Sequence, residues 1–170
     1  DVIGTGESGN PFASVQAGLN FARTDQSVNV GSGIYNENVV WPGYYTHNKS
    51  GIQLIGESRE TTIIDGGANG SVMHIEWVDS TSYMSGFTLQ NGISDLGGGG
   101  LYVSASEMPI ENLIIKDNQG SYSGVVVSGS AIGGSTPMGS HDSAFTTYYD
   151  NIIIRENTGT ESVIYVDYNN

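Results

Sequence analysis

Apolar positions in this chain fall into short runs, each closed by Gly, Asn, Asp or Ser. One stretch differs. Phe12, Val15, Leu19 and Ala22 recur at helical spacing, which predicts one helix over residues 11–23. Asn10 suits its N-cap and Pro11 its first helical position, where a missing N–H costs nothing. From Ser27 onward the runs are β-type: VNV at 28–30, VVW at 39–41, IQLI at 52–55, TTII at 61–64 and VMHIEWV at 72–78. GFTL at 86–89, LYV at 101–103, NLII at 112–115, VVV at 125–127, NIII at 151–154 and VIYV at 163–166 complete the series. Short strands at such intervals ordinarily predict a sandwich or barrel.

Internal repeats change that reading. Val28 to Ile52, Val30 to Leu54, Val39 to Ile63 and Leu101 to Val125 are each 24 residues apart. SGIQLIGE at 50–57 matches SGFTLQNG at 85–92, ENLIIKDN at 111–118 matches DNIIIREN at 150–157, and GGLYVS at 99–104 matches SGVVVS at 123–128. A short period with several strands in it marks a solenoid, whose turns bury their apolar faces only by stacking. The predicted fold is all-β: a single parallel β-helix domain over residues 1–170, with a capping helix at about 11–23 and coils over about 27–168. The wider spacings call for insertions, one near residues 76–84 and one long Gly/Ser loop at about 128–149.

These segments carry a resemblance. The chain is similar to right-handed parallel β-helices of the pectin lyase-like superfamily. FASVQAGLNFA at 12–22 resembles their N-terminal capping helix, and GIYNENV at 33–39 resembles the early coil of pectinesterases. IQLIGESRETTIIDG at 52–66, GFTLQNG and GGGGLYV at 97–103 resemble surface-protein β-helix repeats. The resemblance implies the fold over nearly the whole chain. It does not imply one activity, because enzymes, adhesins and inert solenoids share such coils. The Asp-bearing active-site strand of pectinesterases and its later Arg have no counterpart here.

Strand alternation assigns faces. Ile52, Leu54, Phe87, Leu89, Leu113, Ile115, Ile152 and Ile154 are expected to form an inward aliphatic ladder, and Leu101, Val103, Val125 and Val127 a second inner wall. Asn91, Asn118 and Asn157 are expected to end strands and turn corners, since Asn tolerates the left-handed conformation. Two outward rows carry candidate chemistry. The first stacks Gln90, Lys116 and Arg155 with Asn91, Asp117 and Glu156 beside them. The resemblance to β-helix lyases implies that Lys116 and Arg155 are candidates for neutralising a uronate. Asp117 and Glu156 are the candidate carboxylate pair for glycoside hydrolysis, which needs two acids flanking one bond. The plain alternative is a surface ion ladder. The second row places His74, Tyr102 and Val126 outward, with Trp77 near the strand end and Tyr165 in line. Aromatic rings on a flat face can stack on sugar rings, and ordinary cross-strand pairing is the plain alternative.

Composition sharpens this picture. Five bases against 18 acids give a net charge of −13 at neutral pH, yet charged residues are only 14%. So few Lys and Arg argue against nucleic acid and against anionic membranes. No apolar run is long enough for a membrane span. The absence of Cys excludes disulfides and thiolate chemistry. His47, His74 and His141 show no paired spacing, which speaks against zinc. No cofactor is called for; Ca²⁺ is the candidate ion, with Asp65, Asp95 and Asp142 as its candidate ligands and plain turn chemistry as the alternative. The GGGG run at 97–100 precedes no Lys-Ser/Thr and reads as a tight corner.

The functional expectation is a secreted or surface-exposed, non-catalytic module, carbohydrate-associated or adhesin-like. A fragment of a polysaccharide lyase or hydrolase is the alternative, and a structural spacer is a third. No capping pattern follows Val166. The chain therefore reads as part of a longer solenoid, with end-to-end self-association through the last coil as a second explanation.

Overall fold

The computed structural model describes residues 4–43, 47–128 and 149–166. Among these residues thirteen strands follow one helix. The first sheet contains β1 (Ser27–Val30), β4 (Gln53–Gly56), β7 (Tyr83–Gln90), β10 (Ile110–Lys116) and β12 (Tyr149–Arg155) in that spatial order, with β2 (Gly33–Asn36) and β5 (Thr62–Asp65) attached. The second runs β3 (Val39–Val40), β6 (Met73–Glu76), β9 (Leu101–Ser104), β11 (Gln119–Ser128) and β13 (Thr158–Val166), with β8 (Ile93–Gly98) attached to β11. Every strand pair is parallel. Neighbours in each sheet come from successive passes of the chain, which makes the fold a parallel β-helix.

The core lies between the two sheets. Phe87 pairs with Leu113 and Leu113 with Ile152, while Leu89 pairs with Ile115 and Ile115 with Ile154. Phe87, Leu89, Leu113 and Ile115 are fully buried; Ile152 and Ile154 pack against them in part. Opposite them stand Met73, Leu101 and Val125 in one column and Ile75 and Val103 in the next.

The period, however, is not 24 in the first coils. Val28 pairs with Leu54 rather than following Ile52's alignment, and Val39 pairs with Met73, not Ile63. Leu54 pairs with Met84, so the IQLI run does not overlay GFTL; instead Ile63, Ile64 and Asp65 pair with Thr88, Leu89 and Gln90. For the pairing of β4 and β5 with β7 the reason is residues 57–61. They break one pass into β4 and β5, whereas β7 runs unbroken beside both. The broken segment folds back over the sheet: the Thr88 hydroxyl donates to the Arg59 carbonyl (2.6 Å), and Arg59 Nη1 donates to the Asn151 carbonyl (3.0 Å). The extra residues of this pass thus fall at 57–61, not mainly at 76–84. The matches 111–118 with 150–157 and 99–104 with 123–128 hold residue for residue. The long loop lies almost wholly outside the described residues.

The helix is shorter than its apolar spacing predicts. α1 spans Val15–Phe21, and its N-cap is Ser14, whose Oγ accepts from the Ala17 N–H (3.1 Å). Asn10 does not cap it; its carbonyl accepts from Thr5 and Gly6 in a tight preceding loop. The helix closes the N-terminal end of the core with Val15 and Leu19. Three side chains from later coils and from the helix fix it there. The Glu37 carboxylate accepts from the Val15 and Gln16 N–H groups (2.7 and 3.0 Å). Lys49 Nζ donates to the carbonyls of Leu19 and Asn20 at the other end (3.0 and 2.7 Å). Both charges complement the helix dipole. The Gln16 amide exchanges both hydrogen bonds with the backbone of Val40 (2.7 and 2.9 Å), standing in for a further strand on the exposed edge of β3.

Candidate functional site

The corner after the first sheet explains which side chains reach solvent. Asn91, Asp117 and Glu156 occupy equivalent positions with φ of 55°, 56° and 57°. This left-handed residue swings the chain into the second sheet. Asn118 and Asn157 follow one position later and point inward, so they do not share the corner with Asn91; the residue stacked on Asn118 is Gly92. Gly92 donates its N–H to Asn118 Oδ1 (2.7 Å), Asn118 Nδ2 donates to the Leu89 carbonyl (3.2 Å) and to Asn157 Oδ1 (3.0 Å), and Asn157 Nδ2 donates to the Ile115 carbonyl (2.9 Å). Asn118 is fully buried with its bonding groups satisfied. The repetition of Asn was visible in the sequence, but its inward direction depended on which residue takes the left-handed turn.

The first outward row is Asn36, Asp65, Gln90, Lys116 and Arg155, each paired with the next. Lys116 Nζ lies 2.8 Å from Asp117 Oδ2, and Arg155 Nη1 lies 3.0 Å from Glu156 Oε2. Each cation is thus matched by the acid of its own corner. Asp65 accepts from Gln90 Nε2 (2.8 Å), Asn91 Nδ2 (2.7 Å) and the Gly67 N–H (3.0 Å). Burial acts to raise its pKa, but these three donors and the nearby Lys116 charge outweigh it and hold the carboxyl below its ordinary value. Asp65 is therefore a well-satisfied acceptor in a turn, and Asp95 is an exposed residue of β8. Among the described residues no group of three or more His, Asp or Glu converges as a metal site. Asp142 and His141 lie outside the described residues.

The second outward row lies on the other sheet. The register puts Val40, His74, Tyr102, Val126 and Tyr165 side by side across five strands. The His74 and Tyr102 rings meet edge to face, with centroids 4.7 Å apart and planes at 61°. Tyr102 lies down against Gly97, where a Cβ would come within 2.9 Å of the ring, so glycine lets the ring rest on the backbone. His74 Nε2 is 3.7 Å from Glu76 Oε2. Trp77 follows with a left-handed φ of 56°, its N–H donating to the Ser104 carbonyl (3.2 Å), and is 42% exposed. The structure thus brings His74, Tyr102 and Glu76 to one face, with Trp77 following at the end of β6, and places the backbone of Tyr165 in their row two strands away. Chemically this face offers aromatic surface, a carboxylate acceptor and an imidazole.

No described helix is long and apolar enough to cross a membrane. No family model matches the chain, and no curated protein matches it. Among solved structures the chain is similar to pectin methylesterase from carrot, at 14% identity and a TM-score of 0.45. That alignment covers 96% of this chain and 62% of the carrot protein, so the chain spans less than two thirds of its length. On its own strand pairing, this chain is a parallel β-helix closed at its N-terminal end by a helix.

Proposed function

We propose that the chain is a non-catalytic, secreted or surface-exposed module that holds glycan on the outer face of its second sheet. The observation that carries this is the His74–Tyr102 ring pair with Glu76 beside it. Rings fixed on a flat sheet stack on the apolar face of a sugar, while a carboxylate accepts from its hydroxyls. The net charge of −13 favours neutral glycans over uronates. Lys116 and Arg155 support the same reading, since an incoming uronate would have to displace Asp117 and Glu156 from them.

A glycan array probed with the wild-type chain and with Tyr102→Ala tests the proposal. Binding to neutral oligosaccharides that falls about tenfold in the variant supports it, given ~0.5–1.5 kcal/mol for one ring contact beyond the area it buries. Undiminished binding removes the proposed face. Formation of an unsaturated uronate from acidic polysaccharide, abolished by Lys116→Ala, would replace the proposal with a lyase.

A further inference from the structure

A groove of about 580 Å³ opens at the N-terminal end, between the helix and β1. Its floor is apolar: Phe12, Val15, Phe21, Val28 and Tyr35 line it. The Phe12 and Phe21 rings are 5.1 Å apart, and Phe21 is 63% exposed. Gly18 lets the helix approach Val28 closely, since a Cβ there would come within 2.9 Å of it. The polar side chains around the groove are largely engaged. The Tyr35 hydroxyl donates to the Gly31 carbonyl, Gln26 Oε1 accepts from the Arg23 N–H, and Ser14 caps the helix.

The remaining polar groups include those of a strand edge. β1 ends its sheet. Gln26 and Val30 give their carbonyls to Gln53 and Glu57 in the next coil. Backbone groups alternate sides along a strand, so the N–H and C=O of Ser27 and Asn29 face away from β4, along the groove. On the other sheet Gln16 blocks the equivalent edge at Val40. The cap therefore closes one sheet and leaves the other open beside an aromatic floor. Main-chain donors and acceptors at strand spacing match another extended main chain, not a sugar or a compact ligand. Glu7 is the acid on the rim, and no Lys or Arg lines the groove.

We propose that this groove takes an extended peptide segment bearing apolar and basic residues in alternation, added as a strand to β1. The site is independent of the glycan face. The probe is a short peptide of alternating valine and lysine, titrated calorimetrically at moderate salt. Its comparison is the same peptide with a central proline, which cannot donate. The wild-type chain is expected to bind the first and to bind the second at least about tenfold more weakly. Asn29→Pro removes the edge N–H at a position where proline is tolerated, and should abolish binding with an unchanged melting temperature. Tyr102→Ala should leave it unaltered. Failure to bind overturns the proposal, as does equal binding of both peptides or of Asn29→Pro, which would reduce it to charge attraction. Sedimentation showing dimers that Asn29→Pro dissolves would make a second copy the occupant, and the peptide assignment would fall. If Asn29→Pro does not fold, Phe21→Ser carries the same comparison.

Discussion

Single residues decide how the coils lock together. Asn118 serves three neighbours from a fully buried position. Asn118→Ala is expected to cost about 1–3 kcal/mol, because the Gly92 N–H loses its acceptor; chemical denaturation reads this directly. Glu107 works the other way. Burial pushes its carboxyl up, and the charge of Asp79 beside it adds to the effect. A carboxyl with a folded pKa above its ordinary 4.5 binds protons more tightly in the native state. Its ionised form therefore destabilises the fold, and that penalty disappears as pH falls below 4.5. Glu107→Gln should raise the melting temperature at neutral pH and lose its advantage in acid. Asp65 has the opposite sign. Its lowered pKa contributes stability present above 3.8 and lost as pH falls through the folded value. Asp65→Asn should flatten the acid limb of a stability–pH profile.

At the scale of elements, the helix is instructive. Seven residues are too few to hold a helix by propensity. Its ends are held from outside, by Glu37 on the first N–H groups and Lys49 on the last carbonyls. Glu37→Ala should cost about 1–2 kcal/mol, through lost capping and dipole complementarity. Hydrogen exchange should show the loss concentrated in α1 and β1. The apolar spacing at Phe12, Val15, Leu19 and Ala22 was legible and located the helix. It overran because Phe12 and Ala22 are also apolar, for reasons outside the helix: Phe12 packs on Phe21, and Ala22 is the C-cap.

For the whole molecule, stacking makes stability a sum of neighbouring layers. Phe87→Ala opens a cavity in the central layer, against both Leu113 and the segment above it. About 3–5 kcal/mol should be lost, and the unfolding transition should broaden as the halves uncouple, seen by comparing tryptophan fluorescence with circular dichroism. Trp41 and Trp77 report only on the N-terminal half. The net charge of −13 acts on the molecule as a unit. Raising salt from ~10 mM to ~150 mM shortens the Debye length from roughly 30 Å to 8 Å and should raise the melting temperature.

Sequence alone determined the class of fold, because a solenoid writes its architecture locally. Repeated strands with equivalent residues become neighbours, and so ENLIIKDN overlays DNIIIREN and places Lys116 on Arg155. The aromatic row at His74 and Tyr102 was legible for the same reason: alternation fixes the face of each residue. Tertiary structure decided the register of the early coils: Val28 pairs with Leu54, so its 24-residue spacing to Ile52 is coincidence, and residues 57–61 split the following pass into two strands beside β7. It also decided that Lys116 and Arg155 meet their own corner acids, and that Asn118 turns inward while Asp117 takes the left-handed corner. These are matters of backbone conformation and contacts between distant passes, and a period counted along the chain does not encode them.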